Sequence, residues 1–114
     1  MEKEYSITEI SQKTHLPTST LRYYEQEGLL PPIKRNQYQR RQYTTTDLER
    51  IRLIQCFKQL GMSTKKIKAY IQEHEGKLCD VEGILQEHLQ FLYQQKEEME
   101  RHIHFIEKEL EKRK

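Results

Sequence analysis

Leu85, Leu89, Leu92, Lys96, Met99, Ile103, Ile106 and Leu110 follow one another at steps of 4-3-4-3-4-3-4, and seven of the eight are apolar. A repeat of 3.5 residues draws a narrow stripe along a helix, which is the seam of a coiled coil and not the broad face of a helix lying on a core. A helix over 81–113 would be about 50 Å long at ~1.5 Å per residue. Nothing else in a chain of 114 residues is long enough to cover it. The pattern therefore predicts pairing with a second helix, most simply the same helix of a second copy. Leu85, Leu89, Leu92, Met99, Ile103, Ile106 and Leu110 are the expected dimerisation residues.

Upstream of the seam the punctuation changes. Thr8 is a candidate cap for a short helix over about 8–14, with Ile7, Ile10 and Leu16 on one side. His15-Leu16-Pro17 reads as a turn. Thr18 or Ser19 caps a second helix, about 19–27, which Gly28 stops. Two short helices joined by a tight turn are the pattern of a helix-turn-helix. Pro31-Pro32 forbids helix, and 33–43 reads as a two-stranded hairpin or loop turning near Asn36-Gln37. A third helix begins at Thr46 or Asp47, presents Leu48, Ile51, Ile54, Phe57 and Leu60, and ends at Gly61. Ser63 caps a fourth, which carries Ile67, Tyr70 and Ile71 and ends near Gly76.

Charge is unevenly spread. The net value of +2 says little, but residues 28–43 hold Lys34, Arg35, Arg40 and Arg41 and no acidic residue, whereas 94–114 balance six acidic against six basic. Tyr23 and Tyr24 precede this basic stretch, Tyr38 lies inside it and Tyr43 closes it. A helix-turn-helix followed by a basic, aromatic hairpin suits double-stranded DNA: the second helix enters a major groove, and the hairpin reaches the flanking phosphates with Arg, Lys and tyrosine hydroxyls. Hydrophobic residues make up only 34% of the chain, as expected when a long exposed helix dilutes a small core.

The stretches YSITEISQKTHLPTSTLRYYEQEGLLPP, Arg40-Arg41-Gln42-Tyr43 and DLERIRLIQCFKQLGMSTKKI resemble the MerR family of bacterial transcriptional regulators. The likeness covers about residues 5–76, and the seam helix fits as that family's dimerisation helix. The resemblance implies a mainly α fold, with a winged helix-turn-helix DNA-binding domain over 1–76 and an antiparallel coiled-coil dimerisation helix over 77–114. It also implies a homodimer that distorts a palindromic promoter operator and works with RNA polymerase. Residue by residue, Arg22, Tyr23 and Tyr24 match the DNA-contacting positions of the second helix, and Arg41 and Tyr43 match the wing. Thr18, Ser19, Lys34, Arg35, Arg40 and Lys66 complete the expected DNA-binding set. The chain departs from the family at the wing turn, where many members carry a Gly and this one has Gln39 or its neighbours.

Members of the family usually carry a ligand domain or a metal loop after this helix; if the sequence is complete none is expected here, and a signal is expected to be read by the residues present. One branch of the family responds to aldehydes and other electrophiles through a lone Cys at the position of Cys56, which makes Cys56 the candidate sensor thiol. The alternative for Cys56 is a small, inert core residue. Metal-sensing members carry a Cys near Cys79, which leaves a metal-responsive regulator as another reading, although His88, nine positions on, would lie about 180° around a straight helix from Cys79. No metal site or other cofactor is expected. An excisionase-like architectural protein uses a similar winged module but generally lacks a long seam helix, and a plain coiled-coil adaptor would leave 18–43 unexplained. Enzymatic activity is not expected, because there is no glycine-rich phosphate loop and no nucleophile with a base. Without an apolar N-terminal core or an apolar run of ~20 residues, the expected setting is the cytoplasm, with no membrane partner and with both cysteines reduced.

Overall fold

The computed structural model describes residues 3–74 and 81–114. The elements are β1 (Glu4–Tyr5), α1 (Ile7–Thr14), α2 (Thr18–Gln26), β2 (Lys34–Arg35), β3 (Arg41–Thr44), α3 (Thr45–Gln59), α4 (Thr64–Glu73) and α5 (Val81–Lys112). They fall into two compact units, Met1–Cys79 and Asp80–Lys114. The fold is mainly α, with a helix-turn-helix and a long C-terminal helix as the sequence predicts.

In the first unit, α1 is capped by Ser6 and not by Thr8. Ser6 Oγ accepts the Glu9 N–H (3.1 Å) and Glu9 Oε1 accepts the Ser6 N–H (3.0 Å), a reciprocal capping box. The carboxylate of Glu9 titrates below its ordinary range; the Ser6 backbone bond is the main cause. Pro17, and not Thr18 or Ser19, occupies the cap position of α2, which has no side-chain cap bond. The turn between α1 and α2 passes through His15 in the left-handed region at φ 61°. Gln55 Nε2 donates to the Thr14 carbonyl at 2.9 Å, tying α3 to the end of α1.

Gly28 and Gly61 end α2 and α3 as expected. Both have φ 79°, and each supplies the paired backbone bonds of a Schellman turn: Gly28 N–H to Glu25 O and Leu29 N–H to Tyr24 O, then Gly61 N–H to Lys58 O and Met62 N–H to Phe57 O. The cap of α3 is Thr44 paired with Asp47, two or three positions before the expected start. Ser63 caps α4, its Oγ accepting the Lys66 N–H at 3.1 Å.

Buried Ile10, Leu21, Tyr24, Leu29, Leu30, Ile33, Tyr43, Ile51, Ile54, Phe57, Met62 and Ile67 build one core. The segment after Gly28, polar as it reads, thus contributes Leu29, Leu30 and Ile33 to that core. Leu60, expected on the buried face of α3, is instead 40% exposed. The hairpin is real and gains a third strand: the order is β1-β3-β2, all antiparallel, with Tyr5 opposite Tyr43 and Arg35 opposite Arg41. We call β2, its turn and β3 the wing.

The second unit is α5. Its 32 residues span about 48 Å at ~1.5 Å per residue. Leu85, Leu89, Leu92, Met99, Ile103, Ile106 and Leu110 are all exposed along it. Off that stripe, Ile84 and His88 are buried, and the His88 ring stacks on Phe91 with centroids 5.6 Å apart. No helix among the described residues is long and apolar enough to cross a membrane.

Candidate nucleic-acid interface

The candidate surface starts from α2. Leu21 and Tyr24 face inward, so Arg22 and Tyr23 must face outward, and Tyr23 is 44% exposed. Thr18 is half-buried and Ser19 exposed at the start of the same helix.

The wing is closed by Asn36. Its Oδ1 accepts the N–H groups of Tyr38 (2.8 Å) and Arg40 (3.0 Å), while the Asn36 N–H donates to the Arg40 carbonyl (2.9 Å). Gln39 holds the left-handed position of this turn at φ 63°. Its carbonyl accepts a bond from Arg35 Nη1 at 2.9 Å, which tethers one wing arginine to the tip.

Between α2, the wing and the start of α1 lies an open cleft of about 500 Å³. Arg22, Arg35, Arg40 and Arg41 line it together with Ser6, Ile7, Thr8 and Gln39. Four arginines around one cleft, with the first turn of a capped helix at its edge, form a concentrated positive field suited to an anionic backbone. Of the expected DNA-binding residues, the cleft unites these four. Exposed Lys34 on β2 and half-buried Lys66 on α4 stand outside it.

Two expected contacts need correction. Tyr24 and Tyr43 are core residues, Tyr43 with 0% of its surface exposed. Burial raises the pKa of both phenols, and the Tyr43 hydroxyl has no hydrogen-bond partner among the described residues. Both phenols thus lie beneath the surface that Arg22 and Tyr23 present. Conversely, sequence reading overlooked Ser6, Ile7, Thr8 and Gln39 as lining residues, and Glu25 as a partner of the wing. Ser6-x-x-Glu9 was a legible signal for the first three. Nothing local announces that Glu25 meets Arg41, sixteen residues on.

Glu25 is half-buried. Its Oε1 accepts the Arg41 Nε–H at 2.7 Å and its Oε2 accepts the Ile33 N–H at 3.3 Å. Burial pushes its pKa up, but the bonds from Arg41 and Ile33 and the nearby charges of Arg41 and Arg35 outweigh this and hold it below the ordinary carboxylate range.

Cys56 is exposed on α3 and forms no disulfide, which departs from the buried alternative. Cys79 lies outside the described residues. Among those described, no group of three His, Cys, Asp or Glu side chains is placed to hold a metal ion.

The pattern of the family described as MerR HTH family regulatory protein matches residues 5–74. An uncharacterized HTH-type transcriptional regulator of Bacillus subtilis, YyaN, is 42% identical over 69 residues, covering 60% of this chain and 50% of the relative. The HTH-type transcriptional regulator AdhR of the same organism is 35% identical over 65 residues, covering 57% and 46%. The chain thus spans about half the length of these curated relatives. Among solved structures, HiNmlR, a MerR family regulator lacking the sensor domain and bound to promoter DNA, is 30% identical with a TM-score of 0.68, covering 89% of this chain and 79% of that one. The N-terminal part of the Bacillus subtilis multidrug transporter activator, MtaN, is 26% identical with a TM-score of 0.78, covering 93% and 97%.

Proposed function

This chain belongs to the MerR family of helix-turn-helix regulatory proteins, and from that premise we propose that it is a sequence-specific DNA-binding transcriptional regulator acting as a homodimer. The observation that carries the reading is the four-arginine cleft joining the outward face of α2 to the wing. Arg22 and Tyr23 enter a major groove, and Arg35, Arg40 and Arg41 hold the adjacent backbone. Two such units on one dimer grip two half-sites of a palindromic promoter operator. Anchoring both ends allows the DNA between them to be bent or untwisted, at a deformation cost of roughly 1–6 kcal/mol that the contacts offset. RNA polymerase is the partner on which that distortion would act.

Thiol modification at Cys56 is the proposed signal. Its exposure supports this, since an exposed thiol meets reagents that a core thiol would not. An adduct changes the outer surface of α3, the helix that follows the wing directly.

Footprinting of the purified protein on the DNA upstream of its own coding sequence, with and without a panel of electrophiles, tests both parts. Two protected half-sites are expected, and no protection at low salt would refute the DNA reading. Reporter strains carrying Cys56→Ser or Cys79→Ser separate the signals. Loss of the aldehyde response in the first alone supports Cys56; a full response from it ends that assignment.

A further inference from the structure

A carboxylate beside a phosphate-binding surface repels the ligand, so Glu25 requires an explanation. It lies three residues after Arg22 on the recognition helix, on the same side. It nevertheless does not line the cleft. Its two oxygens are turned to two other segments: Oε1 to Arg41 on β3 and Oε2 to the Ile33 N–H in the connection leading to β2. One carboxylate thereby ties together the recognition helix, the connection after Gly28 and the wing.

The edge of Arg41 that it holds matters more than the bond itself. Glu25 engages Nε, at 2.7 Å. A guanidinium is rigid and planar, so fixing the Nε edge fixes the direction of the two terminal nitrogens, and these remain available as donors. Arg41 is also one of the four arginines lining the cleft. Its exposure is low for an arginine, 22% of its side chain, as expected of a restrained group.

We propose that Glu25 is a positioning residue, which acts through Arg41 to hold the wing against the recognition helix with Arg41's terminal nitrogens directed at DNA phosphate. The inference rests on the DNA-binding reading above. It assigns to an acidic residue on the recognition helix a part in binding polyanion, and it makes the spacing between helix and wing depend on one ion pair. Glu25 also lowers the mutual repulsion of the four guanidiniums before DNA arrives, so that the cleft is preorganised when its ligand is absent.

The test is a double-mutant cycle on the full chain, with affinity for the upstream DNA measured across a range of salt. Glu25→Gln keeps the shape and an acceptor for Ile33 but loses the charge that orients Arg41. It should weaken binding by about tenfold and flatten the salt slope by about one unit, as Arg41→Ala does. Added to Arg41→Ala, it should cost nothing more. Additive losses would overturn the proposal, because Glu25 would then act independently of Arg41. Tighter binding and a steeper slope in Glu25→Gln would also overturn it, by showing that the carboxylate restrains Arg41 from phosphate. Should Glu25→Gln fail to fold, Arg41→Lys serves: lysine can still pair with Glu25 but has no second edge to present, so it should fold and bind as weakly as Arg41→Ala. Wild-type affinity for Arg41→Lys would overturn the proposal. If the wild-type protein binds neither its upstream DNA nor an unrelated duplex at low salt, the DNA reading itself fails and the proposal with it. Binding by the wild type with an additive cycle removes the proposal alone.

Discussion

Adjacent tyrosines on α2 show how much a single turn of helix decides. Tyr23 and Tyr24 are chemically identical, yet they point about 100° apart, and one is exposed while the other is core. The same division separates Tyr23 from Tyr43, whose hydroxyl is buried without a partner among the described residues. An unsatisfied buried hydroxyl is a cost that phenylalanine does not carry. Tyr43→Phe should therefore leave DNA affinity unchanged and keep or raise stability, by up to about 1 kcal/mol, in paired binding and thermal-unfolding measurements. Tyr23→Phe should leave stability alone and weaken binding. A loss of affinity in Tyr43→Phe would show that the phenol reaches DNA after rearrangement. Glu25 gives a pH signature at the same scale. Its native pKa lies below the ordinary 4.5, so the stability it contributes is fully present above about pH 4.5 and is lost as pH falls through the native value. The difference in thermal midpoint between wild type and Glu25→Gln should be constant near neutrality and should close on acidification below pH 4.5. A gap that persists at the lowest pH would mean that charge is not what Glu25 supplies.

Among the elements, the wing is the most informative in structure. Its turn places Gln39 in the left-handed region, where a side chain is strained by roughly 1–2 kcal/mol and glycine is not. Replacement by Gly should stabilise the unit by about 0.5–1 kcal/mol, the relief being partly cancelled by the greater freedom of glycine in the unfolded chain. The arginine tether is kept, because Arg35 bonds to the carbonyl of residue 39 and not to its side chain. A destabilised Gln39→Gly would show that the side chain has a structural role of its own. Elements with strong local signals were legible: Gly28 and Gly61 as helix stops, Ser63 as a cap, and the apolar spacing of α3. What escaped was either too short or too distant. β1 has two residues, which is less than one period of alternation. The Glu25–Arg41 pair crosses sixteen residues. Leu29, Leu30 and Ile33 look like part of a polar loop until the Schellman turn at Gly28 and the two prolines direct them into the core.

At the scale of the whole molecule, the two units pose different problems of burial. The first has its own core around Ile10, Leu21, Tyr43 and Ile51. The second is a single helix whose stripe from Leu85 to Leu110 is exposed along its length. An isolated helix gains little from propensity alone, so a 32-residue helix with this stripe points to a partner. The 4-3 spacing narrows the choice, since a seam that repeats every 3.5 residues is complementary to another seam of the same period. The copy in a second chain meets that condition with no further partner, and the two half-sites proposed above would call for the same symmetry. Leu92 and Met99 flank Lys96 near the middle of the stripe, where an antiparallel pairing would bring both seams together. Changing both to Glu would place like charges in a desolvated interface, at several kcal/mol. Since both positions are exposed on the single helix, the first unit should keep its own thermal transition. Sedimentation at micromolar concentration should show wild type as dimer and the double variant as monomer. DNA affinity should fall as dimerisation is lost, because in the proposed complex one winged unit holds only one half-site. A dimer that survives both glutamates would move the interface off this stripe.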